Sequence, residues 1–175
     1  MERNLGIAVV GGNGSGKSTL GKGLAEALGW KFMDVETYYF PDPASDYGDP
    51  RPKEEVCRLL LADMAQSGNF VFSSVGGDMG PEINRRYGLI VYIQVPKEIR
   101  LERVKQRSRQ KFGSRVAEGG DLYEQEQAFF DMVAGRSLDR IDDWIRTMNC
   151  PVLSVDGCKP PEENAQLIKA YIERL

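Results

Sequence analysis

Short apolar runs alternate along this chain with segments whose apolar residues recur every three or four positions. Leu5–Val10 is the first run, and it stops at Gly11-Gly12. Leu20, Leu24, Ala27 and Leu28 then fall on one helical face, which predicts a helix over Ser18–Leu28 closed by Gly29. Lys31–Val35, Phe70–Val75, Leu89–Val95 and Val152–Val155 read as the remaining strands. Glu54–Ser67 reads as a helix burying Val56, Leu59, Leu60 and Met64. Lys97–Lys111 reads as a basic helix with Leu101 and Val104 inward, and Pro161–Leu175 as the last helix. Asp121–Met148 is helical in pattern and interrupted near Gly135. Strands alternating with helices predict βαβ units, hence an α/β/α domain around a five-stranded parallel sheet. No repeat, low-complexity tract or linker divides residues 1–175, so one domain is expected. Residues 38–52 break the alternation with four prolines, several aromatics and aspartates. A loop this long in a compact domain is usually functional.

The junction after the first strand carries the strongest chemical signal. Gly11-Gly12-Asn13-Gly14-Ser15-Gly16-Lys17-Ser18-Thr19 matches G-x-x-x-x-G-K-[ST] in full. Glycines let the backbone turn and aim successive N–H groups at phosphate oxygens. The following helix adds its positive dipole end. Lys17 reaches the β- and γ-phosphates in such a loop, and the Ser18 hydroxyl ligates Mg²⁺. The expected cofactors are therefore ATP and Mg²⁺.

Composition narrows the chemistry further. There is no histidine, so a general base must be a carboxylate, and a divalent metal is expected to be oxygen-ligated. Three cysteines, none in a C-x-x-C pair, argue for reduced thiols and a cytoplasmic protein. A formal charge of −3 disfavours a dedicated nucleic-acid binder. No export signal and no membrane-length apolar run is visible. A monomer acting on a small molecule is expected. The D-x-x-G and N-K-x-D strings of regulatory GTPases are absent. So is the acidic residue that ends a deep strand in motor and transporter ATPases: Phe70–Val75 runs into Gly76-Gly77, and Leu89–Val95 into Pro96.

What remains resembles the shikimate-kinase and nucleoside-monophosphate-kinase group. Beyond the P-loop, Phe32-Met33-Asp34-Val35-Glu36 is similar to the acidic D-x-D stretch of shikimate kinases, with Glu in the second place. Val71–Gly77 resembles their strand leading into a glycine cluster. Arg103, Arg107, Arg109 and Arg115 fall where the group carries lid arginines. Val155-Asp156-Gly157 resembles the segment lying against adenine. The resemblance implies the strand order 2-3-1-4-5, an acceptor-binding loop over 38–52 and a lid over 107–121. It also implies phosphoryl transfer from ATP to a nucleotide, nucleoside or shikimate-like hydroxyl compound.

Each candidate residue has a functional and a plainer reading. Asp34 and Glu36, two apart on a strand, point to one face at its carboxyl end. One would hold Mg²⁺ through water while the other accepts a proton from the attacking hydroxyl; otherwise they are solvated strand-end carboxylates. Gly76 and Gly77 let a substrate approach the backbone, or simply make a turn. Asp78 is a metal or hydroxyl partner, or a turn residue. Arg100, Arg103 and Arg107 lie at helical spacing and suit phosphate oxygens; a charged solvated face is the alternative. Arg103 and Arg107 are the catalytic candidates, with Arg115 on substrate. Arg58 would grip an acidic group of the acceptor, or be a surface residue. Tyr38, Tyr39, Phe40 and Tyr47 form an aromatic wall or pack the loop onto the body. Two other functions stay open: a non-catalytic ATP sensor, which needs only Gly11–Thr19, and a polynucleotide kinase using the basic helix.

Overall fold

The computed structural model describes residues 4–42, 44 and 48–175. Tyr47, and with it part of the expected acceptor loop, lies outside them. Five parallel strands lie in the order β2-β3-β1-β4-β5. They are β1 (Gly6–Val10), β2 (Lys31–Asp34), β3 (Phe70–Ser74), β4 (Tyr87–Gln94) and β5 (Val152–Asp156). The helices are α1 (Lys17–Leu28), α2 (Val35–Tyr39), α3 (Lys53–Ser67) and α4 (Pro81–Asn84), then α5 (Lys97–Phe112), α6 (Tyr123–Gly135), α7 (Asp139–Thr147) and α8 (Pro161–Ile172).

Successive side chains of a strand face opposite ways, so a strand covered on both sides reads as unbroken apolar sequence. Strand β1 shows this: Ala8 and Val10 join Met33, Leu60, Phe72 and Trp144 on one face. Ile7 and Val9 join Leu24, Val71, Val91 and Ile168 on the other. The first layer is closed by α3, α4 and α7, the second by α1 and α8. A third, small cluster of Val104, Phe130 and Val133, with Leu101 and Phe129 against it, pins α5 to α6.

Three local features refine the expected elements, the last as the sequence implied. Strand β2 ends at Asp34 rather than Val35, because the Asp34 carboxylate caps a five-residue helix by accepting the Glu36 N–H at 3.0 Å. The segment after α5 is a 3-10 turn over Gly113–Val116. It is closed by Leu122 N–H donating to Arg115 C=O at 2.9 Å and Gly120 N–H to Ala117 C=O at 2.8 Å. The helical stretch 121–148 is two helices, parted at Arg136–Leu138 beside the expected Gly135 break. No helix among the described residues is long and apolar enough to cross a membrane.

Candidate phosphoryl-transfer site

The P-loop leaves β1 at the carboxyl edge of the sheet, where Gly11 N–H donates to Val75 C=O at 3.3 Å. It then runs against the start of α5. A Cβ on Gly14, whose φ is +79°, would lie 2.2 Å from the Arg100 carbonyl oxygen; one on Gly12 would lie 2.4 Å from Arg100 Nη1. Two of the loop's glycines are thus demanded by a neighbouring helix as well as by any phosphate.

Arg100, Arg103 and Arg107 share a stripe on α5, but the structure sends them to three different tasks. Arg100 is only 5% exposed, and donates from Nε to Val95 C=O at 3.1 Å and from Nη1 to Asn13 C=O at 3.5 Å. It is a strut under the loop. Arg103 donates to Gly157 C=O at 3.0 Å and Gly14 C=O at 3.4 Å, bridging the P-loop to the turn after β5. Gly157 and Arg103 border a cavity of about 240 Å³, lined also by Ser15, Gly16, Thr19 and Asn164, on the side expected to take the base. The Ser15 hydroxyl there is buried and has no hydrogen-bond partner among the described residues. A Cβ on Gly157 would come within 2.3 Å of Val95 Cγ2, which keeps that turn flat against β4.

Arg107 acts electrostatically on Lys17. Burial, the largest influence, pushes the Lys17 ammonium below its ordinary value; Glu36 opposes this, Arg107 adds to it, Asp34 opposes it and Arg136 adds to it. Two carboxylates and two guanidiniums thus bear electrostatically on the buried lysine. Asp34 and Glu36 converge on it, although not as alternate residues of a strand: one caps α2 and the other stands in its first turn. Arg136 went unnoticed in the sequence. It sits in the α6–α7 break, and its Nη1 donates to Asn13 Oδ1 at 3.4 Å. The one signal available was a cation beside the predicted interruption, since irregular segments on a rigid frame carry function.

Other candidates are placed elsewhere. Arg58 is exposed and paired with Glu55 at 2.6 Å on α3, Arg109 with Glu102 at 2.9 Å, and Arg115 with Asp121 at 2.9 Å. Asp78 closes its own turn, accepting from Gly80 N–H and Asn84 Nδ2. Gly76 opens onto free space. Gly77, with φ +73°, has the Trp144 ring where a Cβ would stand, 2.4 Å from its nearest atom. Burial, and then the bond its hydroxyl makes to Asp63, raises the Tyr38 pKa, and Tyr39 packs on the core. Only Phe40 of the described loop aromatics lines the cavity at Glu36 and Arg107. That cavity, about 360 Å³, is walled by Asn13, Glu36, Arg107, Val104, Phe112 and Phe129 among others. A wider groove of about 620 Å³ lies between α1 and α8, and Thr19 is the only P-loop residue in its lining.

No cluster of three or more Asp, Glu, Cys or His that could hold a metal occurs among the described residues. The donors present, one P-loop hydroxyl and nearby carboxylates, fit Mg²⁺, which keeps several waters and takes phosphate oxygens rather than a protein cage.

The family model described as AAA domain matches residues 7–147. An uncharacterised protein, YqaC of Bacillus subtilis (strain 168), is 31% identical over 180 residues, spanning 98% of each chain. A shikimate kinase of Xanthomonas euvesicatoria pv. vesicatoria (strain 85-10) is 25% identical over 93% of this chain and 89% of its own. The structure of shikimate kinase from Acinetobacter baumannii in complex with shikimate superposes with a TM-score of 0.59 at 20% identity, covering 98% of this chain and 95% of that one. The chain belongs to the AAA domain family, and it is similar in sequence and in fold to shikimate kinases.

Proposed function

We propose that this protein transfers the γ-phosphoryl group of ATP to a hydroxyl of a small-molecule acceptor. The observation that carries the reading is a cavity lined by Glu36, Arg107 and the P-loop residue Asn13, with Asp34, Glu36, Arg107 and Arg136 all bearing electrostatically on Lys17. A sensor needs a loop for phosphate; it does not need carboxylates and cations set against each other beside an acceptor-sized cavity. Phosphoryl transfer asks for positioning and charge stabilisation more than covalent chemistry.

The roles follow from position. The P-loop amides from Gly11 to Thr19 and the α1 terminus hold the polyphosphate. Lys17 and Arg107 bear on the transferring group, whose negative charge offsets their mutual repulsion. Ser18 and, through water, Asp34 would hold Mg²⁺, which when bound would supply charge neutralisation at the phosphates. Glu36 lines the cavity and accepts the proton of the attacking hydroxyl. Arg136 steadies Asn13 and the phosphates from the opposite side. Gly157 and Arg103 frame the base. Within the expected lid of 107–121, the segment 113–121 beyond α5 closes over the site and excludes water. Gly76 offers open backbone to the acceptor, and Arg58 and Arg115 reach it only by leaving Glu55 and Asp121. An ATP-consumption screen over a panel of small alcohols tests the reading. Glu36→Gln and Asp34→Ala are expected to abolish acceptor-dependent turnover and to preserve ATP binding. Turnover unaffected by either change would refute it.

A further inference from the structure

The cavity at Glu36 and Arg107 has one broad apolar side. Phe40 from the end of α2, Val104 and Phe112 from α5, and Phe129 from α6 supply apolar and aromatic surface. The volume of about 360 Å³ falls at the lower end of small-ligand pockets. A polyhydroxy acid placed there would bring hydroxyls against rings that cannot bond them. A flat ring would instead meet rings, in the offset or edge-on contacts that aromatic groups prefer.

A second observation concerns the polar lining. Glu126 is 7% exposed and Ser108 6%, yet both line the same cavity; Glu126 accepts from Ser108 Oγ at 2.7 Å. Gln125 stands beside them. A carboxylate and an amide in an aromatic-walled cavity suit a ring that carries N–H donors on its edge. Lys111, beside the Phe112 ring, and the P-loop residue Asn13, with Glu36 and Arg107, complete the lining, so a hydroxyl on a short arm from that ring would come near Glu36 and Arg107.

We infer that the acceptor is a planar aromatic or heteroaromatic alcohol bearing an N–H donor, and not a polyol acid. This rests on the kinase reading above. The transfer balances simply: the acceptor oxygen forms the new P–O bond, the bond from the γ-phosphorus to the β–γ bridging oxygen breaks, ADP leaves, and the hydroxyl proton passes to Glu36.

The test is acceptor-dependent ADP release with 4-aminobenzyl alcohol, cytidine and adenosine, set against shikimate and gluconate, all at millimolar concentration. At least one of the first three is expected to be turned over well above the other two. Phe129→Ala and, separately, Phe112→Ala should each raise the KM of that alcohol about tenfold while leaving the KM for ATP within about twofold. The thermal shift caused by ATP shows that each variant is folded. Turnover of shikimate or gluconate alone, or of none of the five, overturns the acceptor assignment, as does an unchanged KM in both variants. Loss of ATP binding in the parent protein would instead refute the kinase reading itself.

Discussion

Replacing Gly77 by alanine separates two uses of the Gly76-Gly77 pair. The residue holds φ at +73°, a left-handed backbone that costs an L side chain about 1–2 kcal/mol. The new methyl would also stand 2.4 and 2.5 Å from two atoms of the Trp144 ring and 2.9 Å from Val10 Cγ1. Trp144 cannot swing aside easily: it is 6% exposed, set edge-on to Tyr87, and packed in the layer with Phe72 and Ile141. Overpacking of this kind costs about 1–3 kcal/mol. Together the two effects remove roughly 2–5 kcal/mol, which for a chain of this size lowers Tm by roughly 4–20 °C. Gly76→Ala is the control, since nothing lies within 4 Å of its added Cβ. Its stability should stay within about 0.5 kcal/mol of the parent, with any effect confined to the acceptor KM. Urea and thermal unfolding of both variants, followed by kinetics, decide the matter. A Gly77→Ala protein that melts with the parent but turns over slowly would refute the packing argument and restore a substrate role to Gly77.

Lys17→Met should abolish ATP-induced thermal stabilisation yet make the ligand-free protein more stable. Because the folded-state pKa of Lys17 is lowered, the unfolded chain binds more protons between that value and the ordinary 10.5. Stability of the parent therefore rises with pH across that window, and the variant should lose that rise in urea midpoints measured from neutral to alkaline pH. Arg100→Ala leaves the Asn13 and Val95 carbonyls without their donor; each unmet group costs about 1–3 kcal/mol, and ATP affinity should fall with it, as equilibrium unfolding and calorimetry would show. Arg136→Ala should weaken ATP binding with little loss of stability. Arg58→Ala breaks only an exposed pair and should change stability by less than about 1 kcal/mol.

The sheet was readable because its inner strands are covered on both sides, so Ile7, Ala8, Val9 and Val10 form one apolar run with no exposed residue. The P-loop was readable because its conformation needs glycine at fixed places. Helix α2 was hidden: five residues are too few for a periodic pattern, and the Asp34 cap that starts it looks like a strand-end carboxylate. Arg136 was hidden for another reason. Its partner Asn13 lies 123 residues away, and no local pattern encodes such a meeting. The arginine stripe on α5 was visible as a stripe, but spacing says only that side chains share a face. It does not say that Arg100 is buried under a loop while Arg109 and Arg115 find carboxylates on the surface.

Helix α5 is 16 residues long, so it extends about 24 Å. Along that length it meets the loop at Arg100, the base-side turn at Arg103 and the ring-lined cavity at Arg107 and Phe112. One rigid rod therefore sets the spacing between donor and acceptor, much as a ruler does. Engineering for new acceptors is best aimed at α6 and the end of α2, where Phe129 and Phe40 can be exchanged while the rod, and nucleotide placement with it, stays fixed.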